Sequence, residues 1–506
     1  MSRLPPLHTY VDILEATRPT SPLPPPPPKP RSHMSIKQSL HASKSQSFRA
    51  IDKLPFEVLH QIFLFYFATG PIVYVDEPTS GSLTPGLYTN ITQQLNPFSL
   101  SHVCAYWRAV ISSIPEFWSS LVIIGPLYHQ AYAIDTWLTR AGNRLTDIIF
   151  IQLDIQCAPH ELEEATDQAL AAVLYHTSYI QRLRLEFRCS EFQWSLSRLN
   201  PRQLHHLEAV HIEFPPWATP IPERDRLWAN IFQAPKLYRV SWESTDLNPP
   251  LHLSRWQHLT WINIGGKITQ YYLWSILKIA PRLVRLRARG IYNPTSLSPD
   301  ITPLTHYSLL HLDLEFKSSP VQIYNSLKVP NLVSLRVAQN SVGYNPGNVA
   351  APIRGLTRFL LSLSHLSNFT HLTILDPTIP EPLLLIFLNM KQLKNLVYLG
   401  LDYATANLIH RLNPSMLSSS LNLGLNPSGG AVHVFPKLRK LEVFNRYAEG
   451  EVRGLDYRLG GGAQEEDRKM VYYAVERLLK SRPKGELVVC LDPCGLVLDS
   501  RTLLII

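Results

Sequence analysis

The sequence predicts an α/β chain in which a small all-helical module is followed by an irregular solenoid of alternating strands and helices. Three observations carry this expectation. An apolar-x-x-apolar-x-apolar phrase recurs along most of the 506 residues, two helix-patterned apolar blocks stand together before it, and a proline-rich segment precedes both. A hydrophobic content of 45% with 17% charged residues is that of a folded chain.

Residues 1–50 hold ten prolines, among them Pro24 to Pro28, and seven Lys/Arg against Asp12 and Glu15. Proline fixes φ and lacks a backbone donor, so this segment is expected to be a disordered basic tail of extended polyproline character. Pro24-x-x-Pro27-x-Lys29 fits a loose SH3-ligand pattern, which proline-rich spacers also meet by chance. The tail carries +5 of the net +9, leaving +4 for everything after it. That distribution reads as a solvated tail and argues against a nucleic-acid partner.

Folded structure is expected from about Asp52. Pro55 suits the first turn of a helix, where its missing N–H costs nothing. Val58, Leu59, Ile62 and Phe63 then fall on one face at helical spacing. Gly, Pro, Ser and Thr dominate residues 69–95, which read as an inserted loop. Asn96-Pro97 offers a cap and a first-turn proline to a second helix, with Leu100, Val103, Cys104, Trp107 and Ile111 as its stripe. Pro115 opens one more helical turn, bearing Phe117 and Trp118. Helices this short cannot bury both stripes on each other, so residues 51–121 read as a module with a docking face.

The phrase begins faintly as LTDIIF at Leu145. It continues at Ile180, Leu207, Leu237, Leu259, Leu283, Leu309, Leu332, Phe369, Leu396 and Leu438, most intervals lying between 22 and 30 residues. Helix-like stretches such as ELEEATDQALAAVLYH lie between copies. A short strand followed by a helix, repeated at this spacing, is the leucine-rich-repeat unit. Such repeats usually place an asparagine three residues after the last apolar position. Only the copy at Leu332 has it, as Asn340, so the array over 122–455 is expected to be irregular. Residues 456–506, with Gly460-Gly461-Gly462, a helix from about Asp467 to Lys480 and two strand-like runs, read as its terminal cap.

Within each copy the residue between the last two apolar positions should face away from them. Those residues are Arg184, His211, Ser241, Asn263, Arg287, Asp313, Arg336, Thr373, Gly400 and Glu442. Arg285, Arg287 and Arg289 share one strand face, and with Asp313 and Arg336 they are candidates to bind a protein client through an acidic or phosphorylated segment. A solvated face balanced by Asp313 and Glu315 is the alternative.

No phosphate loop, nucleophile elbow, zinc-protease helix or paired C-x-x-C occurs, so no catalytic residue, cofactor or metal site is expected. Cys490-x-x-x-Cys494 and His205-His206 lack companions at metal-ligand spacing. Five scattered cysteines make no disulfide framework. No apolar run approaches the roughly 20 residues of a membrane span, and the N-terminus lacks a signal pattern. The cytoplasm or nucleus is the expected location, with no membrane partner.

The paired helices resemble an F-box, the module by which a protein binds the Skp-type adaptor of cullin–RING ubiquitin ligases. The resemblance rests on Leu54-Pro55, Glu57-Val58-Leu59, Ile62-Phe63, the run Ser101-His102-Val103-Cys104, Trp107-Arg108 and Trp118-Ser119-Ser120-Leu121. The wording SHVCAYWRAVISSIPEFWSSL is similar to that of F-box proteins of mushroom-forming fungi, which often continue into irregular leucine-rich repeats. The resemblance implies a non-catalytic substrate receptor of an SCF-type ligase, with a Skp-type adaptor and through it a cullin as partners. It implies that Leu54, Pro55, Val58, Leu59, Ile62, Phe63, Val103, Cys104 and Trp107 meet the adaptor, while the repeats hold a client. A repeat scaffold with no ligase attachment is the alternative.

Overall fold

The structure, a computed structural model, describes residues 54–68, 84–89, 96–153, 159–188, 199–215, 221–244, 248–293, 302–339, 350–363, 368–376, 393–402, 406–412, 437–444, 473–480, 487–491 and 496–499, with isolated positions between them. The proline-rich tail, Asn340, the Gly460 triplet and Cys494 lie outside the described residues. Contacts divide the chain into Met1–Pro55 and a second compact unit, Phe56–Ile506, which holds every helix and strand below.

The fold is mixed α/β, built on one large and mostly parallel sheet. Its strands are β1 (Gly86–Tyr88), β2 (Ser120–Ile124), β3 (Thr146–Ile151), β4 (Ile180–Glu186), β5 (Ala209–Glu213), β6 (Arg239–Trp242), β7 (Trp261–Ile264), β8 (Ile268–Thr269) and β9 (Arg285–Tyr292). After β10 (Leu304–Thr305) come β11 (His311–Phe316), β12 (Leu327–Lys328), β13 (Ser334–Gln339), β14 (His371–Leu375), β15 (Tyr398–Leu401), β16 (Lys440–Val443), β17 (Val488–Leu491) and β18 (Leu496–Asp499). Strands β10 and β12 form a separate pair, and β8 branches onto β9; all others neighbour one another in chain order, without closing into a barrel. Among the described residues only the β1–β2 and β17–β18 pairings are antiparallel.

Helices α1 (Phe56–Ala68), α2 (Pro97–Ser101) and α3 (Ala105–Ser112) come early. Helices α4 (Gln130–Ala141), α5 (Pro159–Tyr175), α6 (Ile221–Phe232), α7 (Gln270–Ile279), α8 (Val321–Ser326), α9 (Ala350–Leu361) and α10 (Ala406–Arg411) alternate with strands. Among the described residues no helix is long and apolar enough to cross a membrane.

The phrase sets this order. In every copy from Ile180 to Leu438 all three apolar positions are buried. The last two sit two residues apart and so share one face of a strand. Apolar area removed from water at these positions is the main favourable term holding the ladder together.

Two expectations are corrected in the early helices. The stripe from Leu100 to Ile111 is not one helix: the chain breaks at Cys104, whose φ −158°, ψ 170° is extended. Cys104 Sγ accepts from Trp107 N at 3.4 Å, so the cysteine caps α3 and does not continue α2. Asn96 caps α2 as its sequence suggests, its side chain accepting from Phe98 N at 2.8 Å. The 69–95 segment also holds more than loop, since β1 lies within it and pairs with β2 at the edge of the sheet. Three residues are too few to show a period of two, which is why the pattern hides this strand.

The ladder slips between β9 and β11, where Leu314 pairs with Ala288 but Phe316 with Ile291. Gly290 absorbs the slip at φ +64°, and a Cβ there would lie 3.3 Å from the Lys267 Cα. A left-handed backbone costs an L-residue about 1–2 kcal/mol. Gly290→Ala is therefore expected to lower the unfolding free energy by about that much in urea titration.

Candidate functional site

Two places gather the residues singled out from sequence. The first is α1. Leu59 and Phe63 are fully buried, and the Phe63 ring meets Trp107 edge-on at 4.9 Å and Phe117 at 6.2 Å. These two belong to the core beneath the helix. On the remaining surface Val58 is 42% exposed, Ile62 43% and Phe65 74%, at i, i+4 and i+7. Phe56, Tyr66 and Val103 are exposed beside them in sequence or on the α2–α3 connection. Leu54, Cys104 and Trp107 are half-buried and Pro55 is exposed. The helix is thus apolar on two faces, one covered and one open to water. Phe65 extends the expected set, and its spacing from Val58 and Ile62 was available in the sequence.

The second place is the strand face opposite the phrase residues. All ten residues assigned there fall in one cross-strand row, from Arg184↔His211 through Asn263↔Arg287↔Asp313↔Arg336 to Gly400↔Glu442. Their solvent exposure differs from expectation: Arg184, His211, Ser241, Asn263 and Thr373 are buried. Adjacent strands set such side chains about 4.8 Å apart, close enough to bond one another instead of water. His211 Nδ1 meets Ser241 Oγ at 2.9 Å, and Asn263 Nδ2 donates to the same oxygen at 2.9 Å.

Of the proposed client residues, Arg285 is exposed and the others are half-buried. Asp313 lies between two arginines, 3.3 Å from Arg287 and 2.7 Å from Arg336. Burial, with Arg289 and Arg336 nearby, pulls the Arg287 guanidinium below its ordinary pKa, against the opposing pull of Asp313. The cluster keeps net positive charge: Arg285, Arg287, Arg289 and Arg336 face Asp313 and Glu315.

Beside this row runs a second one that alternates with it. At its early end stand Arg182, Arg239, Trp261 and Arg285, with the Arg239 guanidinium 3.8 Å from the centre of the Trp261 ring. On the opposite side of the row, Glu186 pairs directly with Glu213. These carboxylates, absent from the sequence-based candidates, had a signal: the residue after the phrase is Glu186, Glu213, Glu243 and Glu315 in four copies. Burial is the largest cause raising the Glu213 carboxyl pKa, followed by the charges of Glu186 and Glu243. His211 is pushed down to about 3 by burial and by Arg184, so its ring is neutral at ordinary pH.

No protein-family model matches the chain, and no curated protein matches it.

Proposed function

We propose that this chain is a substrate receptor of an SCF-type cullin–RING ubiquitin ligase, non-catalytic itself, with its early helices as an F-box and its strand ladder as an irregular leucine-rich-repeat-like solenoid. The carrying observation is the doubly apolar α1, whose Val58–Ile62–Phe65 stripe is open to water while Leu59 and Phe63 fill the core behind it. A helix presenting anchors at i, i+4 and i+7 suits a groove on a partner. Each such side chain contributes roughly 1.5–3 kcal/mol when fully covered. The Skp-type adaptor is the partner that the F-box resemblance names, and through it a cullin. The solenoid reading is supported by parallel strands that neighbour in chain order and by the buried phrase positions. The Arg285–Arg287–Arg289 face, extended by Asp313 and Arg336, is the proposed client surface. The ligase would act on the client through proximity, raising its effective concentration.

Co-purification of the full-length chain with a Skp-type adaptor tests this. Wild type should recover the adaptor, and Ile62→Asp/Phe65→Asp should reduce recovery at least about tenfold while keeping the circular dichroism of wild type. Absence of adaptor from the wild-type preparation would overturn the reading, as would undiminished recovery with the double variant.

A second reading, a repeat scaffold without ligase attachment, is favoured by one contact. Trp137 on α4 donates Nε1–H to the Trp118 carbonyl at 2.9 Å, tying the early helical segment to the first strand–helix unit as a cap would be tied. That reading expects loss of the array's stability on deleting 51–121 and no adaptor in any preparation.

A further inference from the structure

We infer that Glu186, His211 and Glu213 form a binding site for one divalent cation of the zinc class, seated across β4 and β5. Their ligand atoms all lie within 4.8 Å of one another. An ion bonded at about 2.1 Å holds tetrahedral ligands about 3.4 Å apart. Small side-chain rotations close that difference, because the two strands already hold the glutamates as direct cross-strand partners.

The imidazole is the observation that separates this cluster from an ordinary pair of acids. His211 is 2% exposed, and among the described residues its buried Nε2 has no hydrogen-bond partner. A buried ring nitrogen without a partner loses its water and gains nothing in return. Its other nitrogen is engaged by Ser241 Oγ, which also accepts from Asn263. A hydroxyl oxygen has two lone pairs, so it can accept from both groups. The tautomer with the proton on Nδ1 then leaves the Nε2 lone pair for a metal. Second-shell bonds of this kind orient ligating histidines generally.

Charge points the same way. Glu186 and Glu243 both lie close enough to act on Glu213, with Arg184 bonded to Glu186 and Arg188 3.0 Å from Glu213. Three carboxylates against two guanidinium groups leave one negative charge around a neutral imidazole. Like charges set directly opposite on neighbouring strands are destabilising, and a cation between them relieves that. The Glu213 side chain keeps 25% of its surface open, which gives an ion an entry path. One imidazole with two carboxylates suits zinc better than calcium or magnesium, which favour oxygen-only cages. The bound ion would act as a cross-strand staple in the array. The adaptor surface on α1 is not involved, so the inference holds or fails independently of the ligase reading.

The full-length protein, stripped with a chelator and titrated with zinc chloride in a calorimeter, is expected to bind one equivalent and to melt at higher temperature when loaded. His211→Gln, which retains a polar group that can reach Ser241, and Glu213→Gln, at the open edge, should each weaken zinc binding at least about tenfold. The surface pair His205 and His206 provides the control: His205→Gln/His206→Gln should bind as wild type does. No stoichiometric binding by wild type would overturn the site. So would loss of binding only in the His205/His206 variant, or full binding retained by Glu213→Gln with native circular dichroism. That last variant decides the matter if His211→Gln fails to fold.

Discussion

Trp118→Ala is expected to lower the unfolding free energy by about 3–5 kcal/mol, the range for removing a large aromatic side chain from a packed interior. The indole is fully buried, and its Nε1 donates to the Ile111 carbonyl at 2.9 Å. Phe98 of α2 meets it edge-on at 5.2 Å and Trp137 of α4 at 5.3 Å, while the Arg140 guanidinium stands 4.6 Å from the centre of one of its rings. Residues from α2, α3 and α4 therefore converge on one ring, so deleting it opens a cavity lined by several elements. Trp118→Phe refills most of the volume but removes the shorter of two bonds to the Ile111 carbonyl, which keeps the one from Ile114 N at 3.4 Å, so the lost hydrogen bond costs about 1 kcal/mol. Guanidinium denaturation followed by far-ultraviolet circular dichroism separates the two variants. A loss below about 1 kcal/mol for Trp118→Ala would show that the early helices and the first strand–helix unit are not energetically coupled, which would also remove the support for the cap reading.

The ladder was legible because each copy of the phrase forces its own answer. Leu207, Val210 and Ile212 cannot share a face unless 209–213 is a strand, and the same constraint repeats at Leu237, Leu259 and Leu283. Once those positions turn inward, His211, Ser241 and Asn263 must turn the other way, and the row follows. What that logic leaves out is how far a polar side chain on the opposite face sits from water. Arg184 and His211 were expected on an open surface and are buried, because burial there depends on neighbours from other strands. The carboxylates Glu186 and Glu213 lie beyond the same logic for a related reason. They come one residue after the apolar phrase, outside its hydrophobic pattern, although a period of two continues through them. At the helical end the same kind of limit appears. A cysteine at helical spacing reads as one more position of a continuous apolar stripe, whereas its extended backbone makes Cys104 a cap, and Val103 beside it is 53% exposed.

Arg184→Leu is expected to cost about 3–5 kcal/mol, since it leaves a buried carboxylate without its guanidinium partner. Arg184 and Glu186 lie two residues apart on β4, hence on the same face, and both side chains are almost wholly inaccessible. Removing the arginine leaves Glu186 directly beside Glu213 with Arg188, 3.0 Å from Glu213, as the remaining counter-charge among the described residues. Desolvating an ion pair cancels much of its Coulomb gain, so replacing both members with apolar groups of similar size is often neutral or even stabilising. The double variant Arg184→Leu/Glu186→Leu should accordingly recover most of what the single variant loses, even though it deletes one more polar group. Urea titrations of wild type, both single variants and the double variant close a thermodynamic cycle whose coupling term is the worth of the pair in this setting. Recovery would mean that the pair specifies how β4 meets β5 without being a large source of stability. If the double variant instead loses as much as the two single variants added together, the pair carries no coupling, and the cost of Arg184→Leu comes from the arginine's packing and not from the carboxylate it leaves behind.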